Sequence, residues 1–227
     1  MRAVRNIIVL LFACCALSGM AQRDVDFDTE LSVGIKGGVS IPSVSFSPSI
    51  AQQTWVGYTT GLAVRYTEEK LFGLIAELNF TRRGWNEKFE GEPYSYRRSL
   101  DYIEIPFLAH IYFGNKTIHG FVNLGPQVGY LLSDSYQSNF DIHDLPVFAD
   151  ESRITEVYTM SAAHRFDYGI TGGLGFELRF KRHIIVFEGR YYFGLGDLFG
   201  NHKADVFSGS SANRGFLASI AYLFRIK

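Results

Sequence analysis

The sequence predicts an all-β chain folded as an eight-stranded antiparallel up-and-down transmembrane β-barrel, and three observations predict it. Apolar residues recur with period two along most of the 227 residues. The alternating segments have about the ten-residue length that tilted membrane strands require, and the connections between them are short and long in strict alternation.

The first 21 residues stand apart from that pattern. Arg2 and Arg5 form a positive start, Ile7 to Leu17 an apolar stretch, and Gly19-Met20-Ala21 a small-residue cleavage site before Gln22. Residues 1–21 therefore read as a secretory signal, 22–30 as a short periplasmic tail and 31–227 as one barrel domain. Both cysteines, Cys14 and Cys15, fall inside the leader, which excludes disulfide frameworks, zinc ribbons and thiol nucleophiles from the exported chain. Leu11-Phe12-Ala13-Cys14 has some look of a lipoprotein box, but it would leave too short an apolar core before it. Loss of Arg2 and Arg5 takes the formal charge from −1 to −3, which excludes nucleic acid as a phosphate-bound partner. After the leader no run reaches the ~18 apolar residues of a helical span. Yet 13 tyrosines, 20 phenylalanines and 23 glycines mark the composition, and a chain exported with these features points to the outer membrane of a Gram-negative cell.

Eight segments follow in order. Residues 31–41 carry Lys36 and residues 55–66 carry Arg65, each on the more polar face. Residues 71–83 carry Glu77 on that face. In 101–113, Ile103, Ile105, Phe107, Ala109, Ile111 and Phe113 alternate with Tyr102, Glu104, His110 and Tyr112. Residues 118–131 form the fifth. In 165–180, Phe166, Tyr168, Ile170, Leu174, Phe176, Leu178 and Phe180 oppose Asp167, Thr171, Glu177 and Arg179, with Gly169, Gly173 and Gly175 on the polar side. Residues 184–194 carry Glu188 and Arg190 inward. In 214–226, Phe216, Ala218, Ile220, Tyr222, Phe224 and Ile226 alternate with Gly215, Ser219 and Arg225.

The more apolar face of each segment is expected to carry no charge, as a lipid-facing surface demands, since a charge at the bilayer midplane costs about 2–4 kcal/mol. A soluble lipocalin-type barrel would turn the same faces the other way. Three features favour the membrane. The polar face lacks a lysine-rich solvent dressing, Lys36 being its one lysine. Aromatics gather at two levels: Tyr66, Phe72, Phe113, Phe180 and Phe224 at one, and Trp55, Tyr58, Phe80, Tyr130, Phe166 and Phe193 at the other. Short turns at Thr67–Lys70, Gly114–Thr117 and Lys181–His183 oppose long loops at 42–54, 84–100, 132–164 and 195–213, the asymmetry of periplasmic turns and extracellular loops.

Three stretches carry a family resemblance. Asp101-Tyr102-Ile103-Glu104-Ile105-Pro106, Asn123-Leu124-Gly125-Pro126-Gln127-Val128-Gly129-Tyr130-Leu131-Leu132 and Phe187-Glu188-Gly189-Arg190-Tyr191-Tyr192 resemble the PorT-like outer-membrane β-barrels of the Bacteroidetes, within the porin family. The likeness covers about Leu31 to Lys227. It implies the barrel; the namesake's support of type IX protein secretion is marked by no residue here.

An eight-stranded barrel is filled by its side chains. The expected lumen network holds five cations, Lys36, Arg65, Arg179, Arg190 and Arg225, against five anions, Glu77, Glu104, Asp167, Glu177 and Glu188. A balanced set suits a salt-bridged plug, whereas a selective pore would favour a ring of one sign; a proton or ion relay is the functional alternative. Counting back from the 181–183 turn places Glu177 opposite Glu188, with Arg179 and Arg190 on the diagonals. Counting back from the 114–117 turn places Pro106 near Gly125, so that Pro106 and Pro126, each lacking a ladder donor, share one defect.

Loops are the places for recognition. The 132–164 loop holds Asp134, Asp141, Asp144, Asp150, Glu151 and Glu156 against Arg153, which suits a cation, a basic partner or simple solvation. The 84–100 loop interleaves Trp85, Phe89, Tyr94 and Tyr96 with Lys88, Arg97 and Arg98, and suits glycan or protein contact as well as anchoring at anionic headgroups. Ser161 with His164, and His143 with Asp144, are the candidate catalytic pairs, but proximity in sequence supplies neither a bonded base nor its orienting group. His110 and His119 read as structural groups near Tyr112. Asp24, Asp26 and Asp28 lack the glycine and closing glutamate of a calcium loop. The expectation is a non-enzymatic scaffold without cofactor or metal, embedded in outer-membrane lipid, with an extracellular or periplasmic protein as partner; a small-solute pore and an accessory role in secretion are the alternatives.

Overall fold

The computed structural model describes residues 29–68, 71–115, 117–200 and 205–226, so the leader and the triad of aspartates from Asp24 to Asp28 lie outside the described residues. Among the described residues nine strands occur in chain order: β1 (Glu30–Ser47), β2 (Gln52–Gln53), β3 (Gly57–Thr67), β4 (Phe72–Glu87), β5 (Tyr96–Gly114), β6 (Ile118–Ser138), β7 (Phe166–Phe180), β8 (His183–Asp197) and β9 (Ser210–Arg225). Every pairing is antiparallel. β1 pairs with β3 and β9, β4 pairs with β5, and the eight long strands close into a ring with β2 attached to β4. This is the up-and-down barrel the alternation predicts.

The apolar face points outward. Ile35, Leu62, Phe107, Leu174, Phe216 and their neighbours on successive strands are exposed, and these are the side chains a bilayer would cover. Lys36, Arg65, Glu77, Glu104, Glu177 and Arg190 are buried inside. Of the expected upper aromatic level, Tyr58, Tyr130, Phe166 and Phe193 are exposed, but Trp55 is buried. It precedes β3 and lies beneath the Arg97 guanidinium, whose carbon is 5.5 Å from the Trp55 ring.

Several strands run well beyond the apolar alternation, and these long extensions are at the extracellular end. β1 continues six residues beyond Ile41, β5 begins five residues before Asp101, and β6 continues seven beyond Leu131. In these extensions the two faces exchange chemistry while keeping their direction. Along β1 the inward residues pass from Ser32, Lys36 and Ser40 to Val44 and Phe46, and the outward ones from Ile35, Val39 and Ile41 to Ser43, Ser45 and Ser47. On β5 the inward Glu104 gives way to Tyr102, Leu100 and Tyr96, and the outward Ile103 to Asp101, Ser99 and Arg97. Water replaces lipid outside at this height, so the outward face becomes polar and the interior can become an ordinary apolar core. Arg82, on the outward face of β4, marks the boundary: it pairs with Asp101 at 2.7 Å and lies over the Tyr58 ring.

Two register expectations are corrected. The β7–β8 turn has two residues, Lys181 and Arg182, with Lys181 at φ 55°, and His183 already belongs to β8. In the observed register Glu177 faces Val186 and Glu188 faces Gly175, two residues from the expected pairing. The two carboxylates are not opposite each other. In the β5–β6 hairpin Gly114 pairs with His119, which places Pro106 opposite Gln127 rather than Gly125. The ladder lapses at Phe107 and Leu108, across from Gly125 and Pro126, and again between β4 and β5 at Pro106. The two prolines thus do share one unpaired site, without a register shift there.

Candidate functional site: a filled lumen beneath an extracellular cap

The lumen charges fall into three groups. At mid-height the Arg190 guanidinium donates to both oxygens of Glu77 (2.9 and 3.0 Å) and to Glu188 (2.7 Å), and the Lys36 ammonium bridges the same two carboxylates at 3.1 and 3.2 Å. Asn79 donates to Glu77 at 2.8 Å and Asn123 to Glu188 at 2.6 Å, while His110 Nδ1 meets Asn123 Oδ1 at 2.7 Å. Two cations thus share two anions, and amides take the remaining lone pairs, which is the condition for tolerating buried charge. Gly175 lets the β8 backbone and the Phe121 ring approach β7: a Cβ there would lie 2.1 Å from the Phe187 carbonyl oxygen and 2.6 Å from that ring.

Toward the periplasmic end, Arg65 and Arg179 both bind Glu177, the latter at 2.5 Å, and Glu30 receives Arg179 at 3.3 Å and Arg225 at 2.9 Å. His119 lies edge-on to Tyr112 and 3.8 Å from Glu177. Above the middle, Arg83 binds Glu104 at 2.5 Å and lies 3.9 Å over the Tyr192 ring, and Asn213 joins Asp167 to the Tyr102 hydroxyl at 3.1 Å each. All ten sequence-derived lumen residues sit in these three groups. Two further members, Arg83 and Glu30, lie at segment ends where the reading stopped; inward parity on the third segment points to Arg83. The cavity between the middle and upper groups, lined by Asn79, Thr81, Arg83, Glu104 and Arg190 among others, holds about 30 Å³. That is room for about one water.

The cap closes over this lumen. Phe46 lies 5.0 Å from Trp85 and 4.7 Å from Phe207, and Tyr96 lies 4.6 Å from Tyr158. Val44, Leu100, Leu131, Ile142, Val157 and Leu198 are among the other members of this core. The loop from 139 to 165 takes part through Phe140, Ile142, Phe148 and a short 3-10 turn at Glu156–Tyr158. Burial pushes the Tyr158 phenol well above its ordinary pKa, and the nearby Glu87 carboxylate adds to it.

The aromatic and cationic residues of the 84–100 segment divide. Trp85 and Tyr96 are wholly buried, and Phe89 and Tyr94 pack against the cap core. Arg98 is buried too: it donates to both oxygens of Asp134 (2.7 and 2.6 Å) and to the carbonyls of Val157 and Met160, fastening the long loop to β5 and β6. Arg97 is exposed, as is Lys88, which pairs with Glu90. Arg153, the one cation of the acidic loop, lies 4.0 Å over Phe89 and binds Glu87 at 2.8 Å. Gly84 makes the crowding of β4 against β5 feasible, with φ at 123° and a Cβ position only 2.0 Å from the Arg98 carbonyl oxygen. Among the described residues no hydrogen bond joins Ser161 to His164 or His143 to Asp144, and no three potential metal ligands converge. His143 instead donates its backbone N–H to Asp141.

A family model described as an outer membrane protein beta-barrel domain matches residues 20–200. The chain belongs to that family. Its place is the outer membrane, with its exposed apolar band in lipid. No curated protein matches it. Among solved structures, the barrel resembles OprG of Pseudomonas aeruginosa at 13% identity and a TM-score of 0.47, over 88% of this chain and 99% of that one. It also resembles the neisserial surface protein NspA at 12% identity and 0.45, over 86% and 96%, and the Yersinia pestis attachment invasion locus protein Ail at 14% and 0.43, over 87% and 99%.

Proposed function

We propose that this outer membrane β-barrel is a non-enzymatic, non-conducting scaffold that presents an ordered extracellular cap to a protein partner. The observation that carries the reading is the sealing of the interior twice, by balanced ion pairs at membrane height and by an aromatic core above them. A cap of that kind is a rigid surface at lower entropic cost to binding than free loops. Its exposed acids, Glu90, Asp141, Asp144, Asp150, Glu151 and Glu156, favour a partner with a basic face. Cross-linking on whole cells should trap a protein through lysines near these acids, and purified barrel in planar bilayers should give no stable single-channel current. A large, stable current would overturn the scaffold in favour of a pore.

The narrower grouping with PorT-like barrels belongs to the same proposal and rests on the three resembling segments. Loss of protease or adhesin secretion in a deletion strain would support it; unchanged secretion would remove it. The division into leader, tail and a single barrel domain is tested by N-terminal sequencing of the membrane form, with Gln22 expected as the first residue.

A further inference from the structure

We infer that the extracellular edge of β6 is a docking site for an extended peptide segment, which adds there as a further strand. The inference rests on the scaffold reading and names where and how the partner binds.

β7 pairs with β6 as far as Tyr130, and one further bond runs from the Leu131 N–H to the Arg165 carbonyl. Beyond that point, among the described residues, 132–138 have ladder partners on the β5 side alone. The β5–β6 register shifts at Leu132, and above it the bond from the Asn139 N–H to the Ser95 carbonyl fixes the alternation: Gln137, Ser135 and Ser133 point their backbone groups at β5, and Tyr136 and Asp134 point theirs away from it. Such a row of unpaired groups is a template for another strand.

The neighbouring open edges are covered by the chain itself. Past Ser40, where β3 leaves β1, the Gln52 amide bonds both the N–H (3.1 Å) and the carbonyl (2.6 Å) of Val44, standing in for a strand. Past Thr81 on β4, the Arg82 carbonyl accepts from the Ser40 hydroxyl, β2 pairs with Asn86 and Glu87, and Lys88 bonds Ala51. At β6 the corresponding place is a groove of about 460 Å³, with Leu132, Asp134 and Tyr136 on one wall and Thr159 to Ala162 on the other. Leu132 and Tyr136 are about half exposed, at 46% and 50%.

Charge selects the occupant. Arg98 neutralises Asp134, while Arg165, at the membrane-proximal end of the groove, is exposed and makes no ion pair among the described residues. The fitting ligand is an extended peptide of a partner protein carrying a carboxylate side chain that meets Arg165, with alternate side chains directed at Leu132 and Tyr136.

The test uses the full chain in phosphatidylcholine nanodiscs, panned with a random heptapeptide library on phage and counter-selected on empty nanodiscs. Enriched peptides should carry an acidic residue and lose about tenfold in affinity against Tyr136→Pro, which removes one edge N–H that β5 does not use. Tyr136→Ala, which keeps that N–H and loses only the ring contact, should weaken binding about threefold, clearly less than Tyr136→Pro, and Arg165→Gln should weaken it severalfold. Should Tyr136→Pro fail to fold, wild-type barrel with peptides N-methylated at alternate amides gives the same reading, with binding expected to vanish in one alternation. Peptides that bind Tyr136→Pro undiminished would overturn edge docking while leaving the scaffold intact, as would a β6-to-β6 cross-link between two copies. No enrichment at all would also overturn it, and whole-cell cross-linking would then decide whether the scaffold reading stands.

Discussion

The membrane-height section of the barrel and the cap above it are built from the same strands with opposite chemistry. Below, the interior is ionic and the exterior apolar; above, the interior is aromatic and the exterior is serine and charge. Along β1 the exchange takes place between Ser40 and Val44 inside and between Ile41 and Ser43 outside, with no change of side-chain direction. The comparison shows that the environment of each face, rather than strand geometry, sets residue type. A polar lumen is stable where lipid excludes water outside, because its charges are ion-paired or, like Asp167 with Asn213, hydrogen-bonded. An apolar core is stable where water returns.

The largest expected effect comes from breaking the lower section. Arg190→Ala leaves Glu77 and Glu188 sharing Lys36 alone, and should cost about 3–5 kcal/mol; it should lower the temperature at which the barrel unfolds on a gel without opening a conductance. Trp85→Ala strikes the upper section at about 3–5 kcal/mol, but confines the loss to the cap. Limited proteolysis should then cut within 139–165 while the heat-modifiable barrel band persists. The two variants together test whether the sections are separable.

Two charge insertions sharpen the boundary. Leu174→Arg on the lipid face of β7 should cost about 2–4 kcal/mol, read as a fall in folded fraction in a urea titration in lipid vesicles. Ser45→Arg, outward on β1 but above the boundary, should change stability by no more than about 0.5 kcal/mol. Equal effects from the two would place both residues in one environment and remove the distinction between the sections.

Much of the lower section was legible in the sequence, because period-two alternation and charge-free outward faces follow directly from lipid. Parity alone located Lys36, Glu77, Glu188 and Arg190 in the lumen. Partners were less legible: the register of β7 against β8 depends on whether His183 belongs to the turn, and only the left-handed Lys181 settles it. The cap was the least legible part. Val44 and Phe46 continue the inward parity of Lys36 and Ser40, yet they read as the end of a strand because the apolar residues change sides there. Trp85, Tyr96 and Arg98 likewise look like a loop of recognition residues until β4 and β5 are seen to continue through them. Following side-chain parity past a change of polarity would have recovered these extensions.

The central claim is tested most directly by a single-cysteine scan of residues 41–47 with a membrane-impermeant maleimide on intact cells, since no cysteine follows Cys15. Positions 43, 45 and 47 should label, while 42, 44 and 46 inside the cap and 41 in lipid should not. Labelling of 44 and 46 as fast as of 43 and 45 would mean that the cap has no closed core, and would contradict the account.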